Sequence, residues 1–572
     1  MPVHNSDIAD VFNHIADLLE IKGDNPFRIR AYRNAARTVM ELPKSASQMI
    51  AEKEDLSQYP GLGEAIIEKI NKLVRNERLS IVDDLEKEVP KGLSQLLEIA
   101  GLGGPRIHTL HKELNIDSIE SLKKAAMEHK ISELKKFGKK TEEKILAEIE
   151  RVNISKQRVP LARAEQISCF LIDYLKKITG IKEVTTAGSF RRRMESVGDL
   201  DILVTHVKNC DVMERFVQFD EVERVLAQGE TKTSVILRSG LQVDLRSVPP
   251  ESYAAALLYF TGSKEHGIAL RKIALSMGLK INEYGIFKDE KKITASTEKA
   301  IYEKLGITFI EPELRENRGE IEAAQKGSLP KLVTLKDIKG DLHTHTDYSD
   351  GHNTMEEMAE AAKKLGYEYI SISDHSKRMT IAHGLDNNRL KQQLREIDAL
   401  NDKLKGITIL KSMETDILED GSLDLPESLL KELDIVIGAV HSKFNLSMEK
   451  QTERMIKAMN SKYLSIIAHP TGRLCGKRDP YEVDMDKLIK EAKNCGCALE
   501  INSHPERLDI NDHYCRMAKE AGVLIAISTD AHRILELNHM RYGIDVARRG
   551  WLEKKNIVNT LSLKDLKKAL KK

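Results

Sequence analysis

AGSFRRRMESVGDLDILVTH, residues 187–206, carries the pattern on which the reading of the whole chain turns. Leu200, Ile202, Leu203 and Val204 form an apolar, partly β-branched run behind Gly188 and Gly198, which predicts a buried strand entered through tight turns. Asp199 and Asp201, two apart, then project from one face at its start. A second run, Gly240 to Arg246 (GLQVDLR), alternates like a half-buried neighbour and can bring Asp244 beside them. Three carboxylates within ~4 Å repel by about 4 kcal/mol per pair at an effective dielectric of 20, a cost that cations offset. Two divalent metals about 3.5–4 Å apart are the arrangement used for in-line phosphoryl or nucleotidyl transfer. The competing reading of a lone Asp-x-Asp is a turn or a capping residue.

The pair has company. GSFRRRMESVGDLD at 188–201, VDLR at 243–246 and YFTGS at 259–263 resemble the family-X DNA polymerases in order and spacing, whereas simple nucleotidyltransferases share only the Gly-Ser and Asp-x-Asp part. The resemblance implies that Asp199 and Asp201 bind two metals, Mg2+ or Mn2+, and that Asp244 activates a primer 3′-hydroxyl. It places Ser189, Arg192 and Gly198 on the β- and γ-phosphates of a dNTP and Arg158 on a further phosphate contact, a task that suits an Arg fork. Tyr259, Phe260 and Gly262 fall where the family packs the deoxyribose, and Arg271 where it reaches the template minor groove. Vertebrate members commonly carry Asn where this chain has Gly267.

At 572 residues the chain is too long for one core, and ~150 residues per domain suggests about four. Its 41% apolar and 31% charged residues are an ordinary globular balance. A net charge of +1 gives no global sign of nucleic-acid binding, so that inference rests on local features. No stretch approaches the ~18 apolar residues of a membrane span and no N-terminal apolar run suggests secretion, so a cytoplasmic location is expected. Six scattered cysteines offer neither a CxxC pair nor a disulfide framework.

Residues 7–22 have helical apolar spacing, Asn25-Pro26 ends the segment, and a second helix with a basic face is predicted over 27–41. Tyr59-Pro60-Gly61-Leu62-Gly63 then leads into an apolar helix, the helix-hairpin-helix signature. Glycines there let backbone amides face an anion such as a DNA phosphate at the helix start. Gly101 and Gly103 mark a second copy, and Phe137-Gly138 a degenerate third. The first unit matches a family domain that in some members removes 5′-deoxyribose phosphate through a lysine Schiff base. Lys69 falls on that nucleophile and Tyr32 on an assisting position, while Arg28 and Ala65 stand where those members have lysines. The competing reading is a surface helix lysine.

Beyond Pro330 a strand-then-helix pattern recurs seven times, which argues for a parallel sheet closed as a barrel with helices outside. Eleven of the eighteen histidines lie between His343 and His539. His343, His345, Asp350, His375, Glu414, His441, His469, Asp530 and His532 all follow the C-terminal ends of strands, the active-site face of such barrels. A lone His-x-His is more often structural, but nine imidazoles and carboxylates without a thiolate suit manganese, zinc or iron. DLHTHTDYSDG, SDH, GAVHS, AHP and STDAH resemble the polymerase and histidinol phosphatase (PHP) domain. That resemblance implies up to three Mn2+, Zn2+ or Fe2+ ions: His343, His345, Glu414 and Asp530 on one, Asp350, His375 and His532 on another, Glu414, His441 and His469 on a third. His383, Arg473 and Arg507 do not decide between a small-molecule substrate and DNA.

The expected organisation is multidomain. Residues 1–85 form a helical lyase-like domain with a helix-hairpin-helix and 86–155 a second, fingers-like helix-hairpin-helix region. An α+β nucleotidyltransferase palm spans 156–250 and a C-terminal polymerase subdomain 251–325. A linker at 326–335 leads to a (β/α)7 PHP barrel at 336–572. The expected function is gap filling on gapped or primer-template DNA with dNTPs, by a monomer that also carries metal-dependent 3′-5′ exonuclease or 3′-phosphoesterase activity, with AP-endonuclease activity a further expectation. The rival is a PHP phosphatase of small molecules with an N-terminal nucleic-acid-binding or regulatory module.

Overall fold

The computed structural model describes residues 5–570 other than 23, 43–45, 53, 76–78, 90, 97–98, 100–101, 103, 135–136, 156–157 and 209. Gly101 and Gly103 of the second hairpin lie outside the described residues. The chain divides into two compact units, Met1–Lys156 and Gln157–Lys572.

The first unit is helical. Helices α1 (Asn5–Lys22) and α2 (Pro26–Glu41) meet through Ile8, Phe12, Ile15 and Leu19 of the first and Ala35, Ala36 and Val39 of the second. Asn25-Pro26 does more than end α1. The Asn25 side chain accepts from the Phe27 amide and Pro26 fills the first turn, where a missing N–H costs nothing, so the same pair starts α2. Arg28, Arg30 and Arg37 of α2 are exposed, while Arg33 turns to Asp17 of α1. The first hairpin leads into α3 (Glu64–Val74) with Gly61 at a φ of +82° and Gly63 as a cap that offers no side-chain acceptor to the first-turn amides. Thr38 pins the turn by donating to the Pro60 carbonyl at 2.7 Å. The third hairpin is followed by α4 (Lys139–Ser155) directly after Gly138.

The second unit begins with α5 (Leu161–Lys176) and a five-stranded sheet. Its strands are β1 (Ile181–Thr186), β2 (Asp199–His206), β3 (Val222–Gln228), β4 (Lys232–Leu237) and β5 (Gln242–Ser247), in the order β1-β2-β5-β4-β3. Only β2 and β5 run parallel, and their register sets Asp201 beside Asp244. The expected neighbour strand is therefore in place. A short helix α6 (Gly188–Arg191) links β1 to β2, and α7 (Tyr253–Thr261) and α8 (Lys264–Ser276) follow β5. Arg315, fully buried, donates to Glu298 Oε1 at 2.6 Å; Arg191 at the end of α6 donates to Glu298 Oε2, also at 2.6 Å. Two guanidiniums on one buried carboxylate satisfy the charge that burial would otherwise penalise.

Seven parallel strands make the barrel: β6 (Gly340–Thr344), β7 (Tyr369–Ile372), β8 (Thr408–Asp416), β9 (Ile435–Ala439), β10 (Leu464–Ile467), β11 (Ala498–Asn502) and β12 (Ile525–Ser528). The seven strand-then-helix repeats expected from the sequence are all present. A helix follows every strand, the last being α9 (Met540–Arg549). The seam between β12 and β6 is bridged at two levels. Above, the Asp530 and His345 amides donate to the His343 and Ala531 carbonyls at 3.0 and 2.8 Å; below, Asn559 bonds to Ile527 and to the Gly340 carbonyl. Val558, Leu566 and Leu570 close the bottom against Leu342, Ile437 and Ala526. In barrels of this kind the chemistry sits at the opposite face, the C-terminal end of the strands.

Candidate active sites

Every residue expected to surround the Asp triad lines one cleft of about 580 Å3: Arg158, Ser189, Arg192, Gly198, Asp199, Asp201, Asp244, Tyr259, Phe260, Gly262 and Arg271. That volume suits a nucleotide-sized ligand. Gly188, at a φ of +61°, lies so close to Asp201 that a Cβ would sit 2.5 Å from its Oδ2, so the turn into β2 has to be glycine. A Cβ at Gly267 would meet nothing within 4 Å, so the position where vertebrate members carry Asn opens on free space here.

The acids are balanced by cations the sequence reading did not single out. Lys232 of β4 lies 2.6 Å from Asp244 Oδ2, and Arg246 lies 3.7 Å from Asp244 and 3.9 Å from Asp201. Arg246 also stacks 4.1 Å over the Phe260 ring. Burial, then the Asp199 and Asp244 charges, push Asp201 up to about 6 despite Arg246. Burial works the same way on Asp244, but hydrogen bonds from Lys232, Ser234 and Gln242 outweigh it and hold its carboxyl below the usual range. A site whose acid stays under-compensated beside two cations is chemically suited to divalent metal.

At the barrel mouth the nine expected residues converge, with Asp350, His441 and His532 half-buried and the rest buried. His343 Nε2 lies 3.6 Å from both Glu414 Oε2 and Asp530 Oδ1, and His345 Nε2 lies 3.7 and 3.1 Å from the same two oxygens. Asp350 is 3.6 Å from His375 and 3.3 Å from His532, and Glu414 Oε1 is 3.2 Å from His441 and 2.9 Å from His469. A tetrahedron built on metal–ligand bonds of 2.0–2.1 Å has edges of about 3.3 Å, which these separations match. Three groups of converging donor atoms result: His345, Asp350, His375 and His532; His343, His345 and Asp530; His375, Glu414 and His441. His343 Nε2, 3.6 Å from Glu414 and from Asp530, is buried without a hydrogen-bond partner, as suits a metal donor atom.

Burial lowers imidazole basicity, yet Glu500, Asp530 and Glu414 outweigh it at His343, which is raised well above the ordinary value. His441 and His532 are likewise pushed up to about 9 and about 10, by Glu414 and Asp350 respectively, against burial. His345, with His532 and His375 as neighbours and no exposure, falls to about 3. Asp530 holds its place in a left-handed backbone conformation, φ +55°, uncommon for a residue with a side chain and typical of functional sites.

Glu500, absent from the sequence reading, holds two of these histidines: its Oε1 takes His343 Nδ1 at 2.8 Å and its Oε2 accepts from the His469 amide at 2.8 Å. Such a carboxylate behind a ligating imidazole fixes tautomer and ring orientation. The available signal was a Glu inside the apolar run ALEIN. Arg507 reaches Asp530 at 3.4 Å, Arg473 turns instead to Glu195 at 2.8 Å, and His383 is exposed. In the first unit, Lys69 is half-buried, donates to the Ala65 carbonyl at 3.0 Å and sits 6.0 Å from the Tyr32 ring centre.

The donor sets predict metal-linked stability. Chelation with EDTA should lower Tm, and Mn2+ should raise it by about 3 °C for each site filled at a hundred times its Kd, the linkage gain being about 2.7 kcal/mol. The gain should shrink as pH falls, because protons compete for the same imidazoles. Differential scanning fluorimetry with and without chelator measures both.

Residues 3–79 match a helix-hairpin-helix domain, 93–151 a SAM-like helix-hairpin-helix tandem, 158–254 the DNA polymerase beta palm, 256–316 the DNA polymerase beta thumb and 341–504 the PHP domain. A Bacillus subtilis (strain 168) protein called DNA polymerase/3′-5′ exonuclease PolX is 41% identical over 574 aligned positions covering all of both chains. Probable phosphatases of Thermoanaerobacter sp. (strain X514) and Caldanaerobacter subterraneus subsp. tengcongensis are 34% and 33% identical over 38% and 34% of this chain, and 89% and 75% of their own. Palm, thumb, hairpins and PHP barrel thus occur in one chain, in the same order and over the same length as in a PolX. The chain belongs to the family-X DNA polymerases that carry a C-terminal PHP domain.

Proposed function

We propose that the protein extends DNA primers across short gaps at the Asp cleft and trims 3′ ends at the barrel mouth, as one repair enzyme. The observation that carries this is the cleft itself, where phosphate-type donors (Arg158, Ser189, Arg192) and sugar-sized apolar faces (Tyr259, Phe260) flank three acids. Asp244 takes the primer 3′-hydroxyl proton, Asp199 and Asp201 hold the cations, and Ser189, Arg192, Gly198 and Arg158 bind the triphosphate. Tyr259, Phe260 and Gly262 pack the deoxyribose, and Arg271, whose guanidinium lies 6.0 Å from the Tyr259 ring centre, reaches the template. Bound divalent cations, Mg2+ or Mn2+ in the cleft and Mn2+, Zn2+ or Fe2+ in the barrel, neutralise phosphate charge and acidify the attacking hydroxyl or water. Around them Glu500 keeps His343 in its tautomer, and Arg507, beside Asp530, offers the barrel's phosphate contact. Gly61 and Gly63 grip the DNA backbone without reading sequence, and Gly101 and Gly103 do the same in the second hairpin. The proposed domain limits are those given by sequence.

The test is a labelled primer on DNA with a one-nucleotide gap, with Mg2+ or Mn2+, with and without dNTPs. Extension with dNTPs and 3′ shortening without them support both centres. Extension without shortening would give the barrel another substrate, and the kinship with probable phosphatases makes a small phosphate ester the one to try. An abasic site in the duplex tests AP-endonuclease cleavage in the same gel.

Lys69 is proposed as a 5′-deoxyribose phosphate lyase nucleophile. Borohydride should trap a covalent adduct with incised abasic DNA that Lys69→Ala loses entirely. No adduct with the unaltered protein would return Lys69 to the role of a surface lysine.

A further inference from the structure

The triphosphate side of the Asp cleft is not built by the polymerase half alone. Arg192 enters the cleft held on two sides: its Nη1 donates to the Thr261 carbonyl at 2.6 Å and its Nε to Glu316 Oε1 at 3.0 Å. The same Glu316 oxygen also accepts from Arg549 Nη1 at 2.9 Å, and that nitrogen donates to the Arg192 carbonyl at 2.8 Å. Arg549 lies on α9, the helix that follows β12, with its side chain 4% exposed and its other branch on Asp512 at 2.8 Å. One turn earlier on the same face, Asp545 accepts from Arg193 Nε at 2.8 Å, and Glu165 of α5 takes Arg193 Nη2 at 3.1 Å. Arg193 stands at a φ of +57°, a conformation that an L residue adopts only when its surroundings hold it.

The geometry points to Arg549 as a positioning residue for nucleotidyl transfer, supplied by the hydrolytic domain and acting on Arg192 through Glu316. This rests on the polymerase reading of the cleft. Arg192 can bind a phosphate only with donors to spare, and an unshared carboxylate at 3.0 Å is a competitor for them. Arg549 shares that carboxylate and so weakens the hold of Glu316 on Arg192, while fixing the main chain from which Arg192 projects. Simple docking between domains would need neither the shared oxygen nor a bond to the Arg192 carbonyl.

The direction of the effect follows. In Arg549→Met, Glu316 is left to Arg192 alone, so KM for dNTP should rise about tenfold with kcat within about twofold and 3′ shortening unchanged. Glu316→Gln added to Arg549→Met removes the competitor and should bring KM back to within about twofold of the starting value. Formation of a ternary complex on a dideoxy-terminated primer, read by gel shift, should follow KM. Unchanged KM in Arg549→Met would overturn the inference, as would parallel loss of extension, shortening and Tm, or failure of the second substitution to restore KM. Absence of extension by the unaltered protein would instead overturn the polymerase reading, and this inference with it.

Discussion

Asp201→Asn is expected to lower primer extension by about 10^3-fold or more while leaving 3′ shortening within about twofold, and to raise Tm in metal-free buffer. The activity loss follows from removing a charge that stabilises developing phosphate charge only together with its cations, an effect of several kcal/mol at about 1.4 kcal/mol per tenfold. The stability gain follows from linkage. Asp201 is pushed up to about 6 in the fold from an ordinary carboxyl value of 3.8, because burial and two neighbouring carboxylates oppose its charge. A carboxyl whose folded pKa is raised costs nothing below the unfolded value; the penalty grows between about pH 4 and 6 and is complete at neutral pH. A shift of this size is on the order of 3 kcal/mol, or about 3 °C for a unit of this length. Asn keeps the shape beside Gly188 and removes the charge. Extension lost with Tm raised would mark Asp201 as kept for chemistry at the expense of stability. Extension retained, or both activities lost together with Tm unchanged, would remove the cleft from the mechanism.

What was legible in the sequence, and what was not, divides along one physical line. An apolar, partly β-branched run and Asp-x-Asp spacing announce β2, because strand side chains two apart must share a face. The seven barrel strands are equally plain, each an apolar run with polar residues at or just beyond its end, since a packed barrel puts its chemistry where its strands stop. Groups that act through register are hidden. Lys232 looks like any surface lysine until the antiparallel pairing of β4 with β5 sets it opposite Arg246 and within reach of Asp244. Arg549 is 357 positions from Arg192, and nothing local to either predicts their bond. Glu500 lies between. A charge in a buried strand is a visible anomaly, but only the fold says that it faces His343 and not a cation.

Removing His343 and His345 together as alanines should abolish 3′ shortening, again by about 10^3-fold or more, and leave extension within about twofold. Both imidazoles are fully buried, and their loss takes at least one partner from each of Glu414, Asp530 and Glu500, of the kind whose removal costs about 3–5 kcal/mol when a buried pair is broken. Because α9 leaves the barrel to hold the loop of Arg192, a loosened barrel could lower extension by mechanics alone. Asp350→Asn separates the two causes. Asp350 sits in the loop after β6, its side chain 33% exposed, and touches His375 and His532 without supporting the core. Neutralised there, the mouth keeps its packing and loses one anionic donor, so shortening should fall steeply while Tm and extension stay. If shortening survives in Asp350→Asn and in the His pair alike, with Mn2+ present, the hydrolytic centre lies elsewhere. If extension falls in the His pair but not in Asp350→Asn, the loss is mechanical, passed from the loosened barrel to the polymerase cleft through the reach of Arg549 to Arg192.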